Sequence, residues 1–194
     1  MIFGRTSPRL LSERLELRLP VKADYIPWVT TRREGADFLK PWEPIRSRDY
    51  DARSSFASRA GWAHRAAKAK TAFPFLIIGG RDGCLLGALT LDNVRYGPAK
   101  AGTVGYWIGP EFARQGVMSE ALGMVVDFAF DRLDISRIEA ACLPENDASR
   151  GVLEKAGFKY EGVAQSYLQI AGRWRTHVLY AHLRADRRGQ TDAQ

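Results

Sequence analysis

The residues best suited to chemistry in this chain lie between Val104 and Leu122. An alternating segment (Val104, Tyr106, Ile108) is stopped by Pro110, and a helical period begins beyond Glu111-Phe112-Ala113-Arg114-Gln115-Gly116. From Leu122 the apolar residues recur at Val125, Val126, Ala129 and Leu133, one face of an amphipathic helix whose first turn falls near Val117 to Ala121. The unpaired N–H groups of that turn and the positive end of the helix dipole make a site for a phosphate. Gly116 keeps the backbone approachable, and Arg114 adds a cation able to fork onto two phosphate oxygens. Gln115, Val117, Met118 and Ser119 complete this candidate anion cradle. A glycine that only relieves a tight bend has the same local signature.

A second group follows. Arg137 to Leu143 reads as a strand, then Pro144-Glu145-Asn146-Asp147-Ala148-Ser149 leads into a short helix ending at Ala156-Gly157-Phe158, with Gly157 where a C-cap belongs. Ser149 precedes Val152 and Leu153 by three and four residues and shares their inward stripe, which suits a general acid for a leaving group; a hydroxyl bonded to its own helix backbone has the same spacing. Asn146 fits both a helix N-cap and a hydrogen bond to a bound ligand. Two carboxylates are candidate bases, Glu43 in the Pro41-Trp42-Glu43-Pro44 turn and Glu139 on the strand, and each is equally suited to a structural ion pair. Trp42 and Tyr167 are candidate walls of an acceptor cleft, although a buried loop anchor is the commoner fate of a tryptophan. Cys142 and His177 raise a covalent cysteine mechanism, disfavoured because Cys142 has apolar company and no helix N-terminus to stabilise a thiolate.

These segments resemble the GNAT superfamily of acyl-CoA-dependent N-acetyltransferases, whose central motif is a splayed strand, an Arg/Gln-x-x-Gly-x-Gly/Ala pyrophosphate loop and a helix. Ala113 and Met118 depart from that loop pattern. Arg14-Leu15-Glu16-Leu17-Arg18, Phe38-Leu39-Lys40-Pro41-Trp42-Glu43-Pro44, Gln115 to Leu122 and Tyr167 to Arg175 are similar to the ribosomal-protein-alanine N-acetyltransferases of the RimJ type, in which Met at the last loop position is usual. The resemblance runs from about Leu10 to Leu183 and implies acetyl-CoA as cosubstrate, with transfer to the N-terminal α-amine of a protein, an alanine-starting ribosomal protein S5, by direct attack in a ternary complex. It also implies a strand whose backbone amides around Trp107 and Ile108 meet the thioester, and a catalytic serine at the Asn-x-x-Ser position, here Asn146 and Ser149. The glutamate that some relatives carry on the strand after Gly162 is Leu168 here. Two other readings compete: transfer to a small-molecule amine, and a non-catalytic acyl-CoA-binding ribosome assembly factor.

The elements that must position these residues read as mixed α/β of the α+β type, a largely antiparallel sheet flanked by helices, in one domain over 1–194. Residues 1–10 read as loosely held. Leu15, Leu17 and Leu19 alternate on a first strand, Asp24 caps a first helix through Ile26, Trp28 and Val29, and Ser47 to Lys70 reads as a second, solvent-faced helix. Phe73 to Ile78 and Cys84 to Val94 form a hairpin, the strand through Trp107 extends it to a meander, and Tyr160 to Ile170 with Arg173 to Leu183 form another hairpin. The short tail from 184, with Arg184, Arg187 and Arg188, reads as a frayed basic terminus.

At 45% apolar and 26% charged, the chain has a globular composition, and no apolar run approaches the roughly 20 residues of a membrane span. The start lacks the pattern of a signal peptide, so a cytoplasmic location is expected, with Cys84 and Cys142 as reduced core residues and no metal site. A net charge of +7, from 29 basic and 22 acidic residues, makes coenzyme A and ribosomal RNA plausible polyanionic neighbours; a solubilising basic surface accounts for it as well. Monomer and homodimer are both compatible with the sequence, and no membrane partner is expected.

Overall fold

The computed structural model describes residues 7–185, and every structural statement below refers to these. They form one eight-stranded sheet in the order β1-β2-β3-β4-β5-β6-β8-β7. The strands are β1 (Arg9–Leu11), β2 (Leu15–Arg18), β3 (Phe73–Gly79), β4 (Leu85–Arg95), β5 (Ala101–Ile108), β6 (Arg137–Cys142), β7 (Lys159–Ile170) and β8 (Arg173–Leu183). All neighbours are antiparallel except β5 and β6. That parallel pair requires a crossover, which is supplied by α4 (Val117–Asp127) and a π-helical turn (Phe128–Arg132). The remaining helices are α1 (Tyr25–Glu34), α2 (Ala36–Leu39), α3 (Arg53–Ala69) and α5 (Asp147–Lys155).

Strand alternation divides the apolar residues between two faces. Leu15, Leu17, Phe73, Phe75, Ile77, Leu89 and Leu91 point to one face and share a core with Leu122, Val125 and Leu153 of α4 and α5. Leu76, Ile78 and Leu85 point to the other and pack on Trp28 and Val29 of α1 and Phe56 of α3. The same alternation continues in β5, with Val104, Tyr106 and Ile108 on the first face and Trp107 on the second. Complete burial of each such aliphatic side chain stabilises the fold by roughly 1.5–3 kcal/mol, so both helix layers are held chiefly by this pattern.

β5 and β6 pair over only four positions, from Ala101–Arg137 to Val104–Ala140. Beyond them β5 stays on β4 through Ile108, while Ala141 and Cys142 of β6 stay on β8. The two strands therefore diverge, and the sheet opens between them. Gly109 N–H donates to Leu86 O at 2.8 Å, which fixes the alternation of the β4–β5 ladder: Trp107 turns its amide toward β4, and Tyr106 and Ile108 turn theirs toward the opening. Ile108 thus fits the expected amide donor, whereas Trp107 brings only its side chain, on the other face.

Several local expectations are corrected. Arg9 and Leu10 are not loose but lie in β1, paired with Arg18 and Leu17; residues 1–6 fall outside the described range. Asp24 stands at the N-cap of α1 without capping it, because its carboxylate is held by both Arg18 Nη atoms and by Val21 N–H. The second long helix begins at Arg53, not Ser47, since consecutive turns closed by Tyr50 N–H on Ser47 O and Ala52 N–H on Asp49 O occupy the intervening chain. Its face is not uniformly solvated: Phe56, Ala60, Ala63 and Ala66 are buried. Cys84 is exposed, while Cys142 is buried as expected, and both are free. Arg184 is no frayed residue, since its guanidinium donates to Phe130 O and Asp134. Arg187 and Arg188 lie outside the described residues.

β4 passes β5 with no room for a side chain at Gly87: a Cβ there would stand 2.4 Å from Trp107 O and 2.9 Å from Ile108 Cα, both backbone atoms that cannot rotate away. Gly87→Ala is expected to lower unfolding free energy by about 1–3 kcal/mol, the usual range for overpacking, as read from the urea midpoint. Gly105→Ala, whose added Cβ meets nothing within 4 Å, is the control.

Candidate active site

The cradle forms as its residue types require. Arg114 and Gly116 both take positive φ, 60° and 78°, so the chain folds back on itself before α4 starts. Glu120 N–H is the first to reach a helical carbonyl, that of Gly116, and the N–H groups of Val117, Met118 and Ser119 precede it at the helix opening. Val117 and Met118 bury their side chains in the core, which leaves their backbone as the part available to a ligand. Arg114 is exposed beside them. Gln115 is committed locally: its Nε2 donates to Glu111 O at 2.6 Å, and its carbonyl accepts from Arg14 Nη2 at 3.1 Å. Ser12 Oγ donates to Glu120 Oε1, and Arg14 pairs with the same carboxylate, so the β1–β2 turn braces the cradle from outside. A Cβ on Gly116 would meet no atom within 4 Å. The space over this glycine is open, and the site suits a phosphate group in size and sign.

Ser149 borders the opening. Its N–H donates to Asn146 Oδ1 at 3.0 Å, so Asn146 is the N-cap of α5. Its Oγ lies 2.9 Å from Tyr106 Oη, and Tyr106 also reaches Ser149 O at 3.3 Å. The serine is half-buried and turned inward, as its spacing before Leu153 requires. Burial pushes the Tyr106 phenol well above its ordinary value, and burial likewise raises the Cys142 thiol, so both keep their protons.

The other face carries the candidate acceptor residues. Arg32, on α1, donates through Nη1 and Nη2 to the two oxygens of Glu43, each at 2.6 Å, and its guanidinium lies 4.9 Å from the Trp107 ring centroid. Glu43 O accepts Ala171 N–H from the turn between β7 and β8. One buried arginine therefore ties α1, the turn carrying Trp42 and Glu43, the β7–β8 hairpin and the strand at the opening to one another. Trp42 is 36% exposed and ends a short 3-10 turn, so it is a partly open wall and not a buried anchor. Tyr167 is half exposed and meets the His177 ring edge-on at 5.7 Å between centroids.

Neither candidate base is poised to take a proton. Burial by itself would raise the Glu43 carboxyl, but the hydrogen bonds and charge of Arg32, with Arg46 nearby, leave it below its ordinary value. Glu139 is held by Arg95 and Arg137, away from the opening on the paired part of β6. The pairing of Cys142 with a histidine fails on register: Cys142 lies opposite Val178, which shares its core face, so the neighbouring His177 points to the other side of the sheet. His177 Nδ1 bonds Arg175 O at 2.9 Å instead.

A family model described as an acetyltransferase (GNAT) domain matches residues 14–159. The chain belongs to this family. It is an acetyl-CoA-dependent N-acetyltransferase by that membership. It is 35% identical over 173 residues, 89% of each chain, to the [Ribosomal protein uS5]-alanine N-acetyltransferase of Escherichia coli (strain K12). Among solved structures, the ribosomal-protein-S5-alanine acetyltransferase of Vibrio fischeri superposes with a TM-score of 0.86 at 29% identity, covering 92% of this chain and 98% of that one. Mycobacterium smegmatis RimJ in complex with CoA-disulfide gives 0.84 at 32% identity, covering 95% and 89%.

Sequence reasoning passed over two residues of this GNAT site, Arg32 and Tyr106. Arg32 was readable only as one arginine of a polar helix, and its bidentate partner is 11 positions away through a turn. Tyr106 was read as a strand residue, and the alternation that identified it as inward-facing is the signal that places it beside Ser149.

Three outcomes follow from this geometry. Gly116→Val places a β-branched residue at φ 78°, where L side chains are strained, and sets methyl groups over the cradle; calorimetry is expected to show at least a tenfold loss of coenzyme A affinity. Glu43→Ala leaves Arg32 buried without its partner and is expected to cost about 3–5 kcal/mol of unfolding free energy. The folded Glu43 carboxyl titrates below its unfolded value of about 4.3, so the pair's contribution is complete above that value and is lost as pH falls through the folded one. Acid-unfolding curves of Glu43→Gln should accordingly be shallower below about pH 4.3 than those of the parent chain.

Proposed function

We propose that this chain transfers the acetyl group of acetyl-CoA to the N-terminal α-amine of a ribosomal protein beginning with alanine, of the S5 kind, by direct attack in a ternary complex. The observation that carries the acceptor class is the 35% identity to a uS5-alanine N-acetyltransferase over 89% of both chains. The RimJ structure with CoA-disulfide, 32% identical, supports a coenzyme A donor, and the amides left unpaired between β5 and β6 are where this reading seats it. In this reading Arg114, Gly116 and the N–H groups of Val117 to Ser119 receive the pyrophosphate. The thioester lies in the opening, where the Ile108 N–H meets its carbonyl oxygen; one such donor contributes roughly 3 kcal/mol to stabilising the oxyanion.

The acceptor enters from the Trp107 face, between Trp42, Glu43 and Tyr167. A free α-amine has a pKa near 7.7–8.0, so an appreciable fraction is already neutral near pH 7 and water suffices to remove the proton that attack releases. This agrees with two carboxylates both engaged by arginines. The amine attacks the thioester carbon, and the adduct collapses with the C–S electron pair passing to sulfur. Ser149 protonates that sulfur. Alignment of the two substrates supplies much of the acceleration, and no covalent acyl-enzyme is needed. The reading places the enzyme in the cytoplasm near ribosomal RNA, and no described helix is long and apolar enough to cross a membrane.

Peptides beginning with Ala are expected to be acetylated at the α-nitrogen, with activity lost when that nitrogen is blocked. Trp42→Ala should lower kcat/KM more for the peptide than for a small amine. Mass spectrometry showing lysine acetylation of the blocked peptide at a comparable rate would instead assign a lysine or small-amine acceptor.

A further inference from the structure

Tyr106 binds no candidate ligand group, yet its phenol is fixed against Ser149. The oxygen of Tyr106 is 2.9 Å from Ser149 Oγ and 3.3 Å from Ser149 O, and a phenol has one proton to give. Ser149 O lies in the first turn of α5, where helix geometry offers it the N–H four residues on, that of Leu153. The contact to Oγ is the shorter of the two, and either oxygen can be its donor. A serine oxygen that accepts from Tyr106 must point its own proton elsewhere. Cys142 Sγ is beside it, but a thiol sulfur is a weak acceptor and yields the proton readily. The opposite orientation would commit the serine proton to Tyr106 and present only lone pairs to an incoming sulfur.

We propose that Tyr106 is a positioning residue for acyl transfer: by donating to Ser149 Oγ it turns the serine proton toward the sulfur of the departing coenzyme. The inference rests on the reading of Ser149 as the acid. The C–S bond breaks with its electron pair on sulfur, sulfur takes the Ser149 proton, and Oγ is reprotonated through solvent by the proton released from the acceptor nitrogen. Tyr106 keeps its own proton throughout. Burial of the phenol opposes its ionisation, which suits a fixed donor and not a relay.

The test is a double-mutant cycle in kcat with acetyl-CoA and an alanine-starting peptide, using Tyr106→Phe, Ser149→Ala and the double variant, with coenzyme A affinity measured for each. Tyr106→Phe preserves the buried ring and is expected to lower kcat about tenfold, the loss of one aligned hydrogen bond, with coenzyme affinity within about twofold of the parent. In the Ser149→Ala background the same change is expected to have no further effect. Losses that multiply in the double variant, or an unchanged kcat in Tyr106→Phe, overturn the inference while the Ser149 reading stands. A parental kcat in Ser149→Ala overturns the acid reading itself, and the inference with it.

Discussion

The short pairing of β5 with β6 is the constraint on which the rest of the molecule depends. Parallel strands need a crossover, so the one parallel pair in the sheet places α4 directly after β5 and points its N-terminus at the end of that strand. The pair then gives out after Val104 and Ala140 because each strand is held more extensively by its other neighbour, β5 by β4 and β6 by β8. Backbone amides that would be consumed by a continuous ladder face open space instead. In the proposed reading the substrate satisfies them within the plane of the sheet.

The alternation of side chains across that opening separates two chemistries. Tyr106 and Ser149 lie on the face of α4 and α5, with Cys142 behind them, and in the proposed reading this is the side of the leaving group. Trp107, Arg32, Glu43, Tyr167 and His177 lie on the other, which that reading assigns to the acceptor. Adjacent residues of one strand, 106 and 107, thus face opposite sides of the sheet. The proposed ternary complex uses both sides, with its two substrates meeting at one backbone opening.

Many of the chain's arginines are engaged internally. Arg18 holds Asp24, Arg32 holds Glu43, Arg137 bridges Glu139 and Glu161, and Arg46 and Arg59 lie over the Tyr50 ring at 4.5 and 4.2 Å. Apart from Lys100, which pairs with Asp134, these joining charges are arginines, whose planar forks bond two oxygens at once and stack on rings in a way lysine does not. Each such ion pair consumes a carboxylate along with an arginine, so the excess of +7 remains outside these pairs.

The sequence by itself determined most of the elements and the turn geometry that opens α4. Period-2 runs in β2, β3, β4 and β5, the period-3.6 run in α4, and Gly116 between them are local signals, because side-chain direction and φ depend on neighbours a few residues away. For the same reason Ser149 and Asn146 were legible: a cap and an inward stripe are properties of one helix. Boundaries set by competing local bonds were not, as at Asp24, which surrenders the α1 cap to Arg18, and at Arg53, where turns displace the helix start. Only tertiary structure decided which carboxylates were free, since the partners of Glu43 and Glu139 arrive from other elements. It also decided that Cys142 and His177 never meet and that Tyr106 reaches Ser149. Those facts depend on strand register and on a β5–β6 pairing across the sheet, and a one-residue change in register would reverse the faces of every side chain involved.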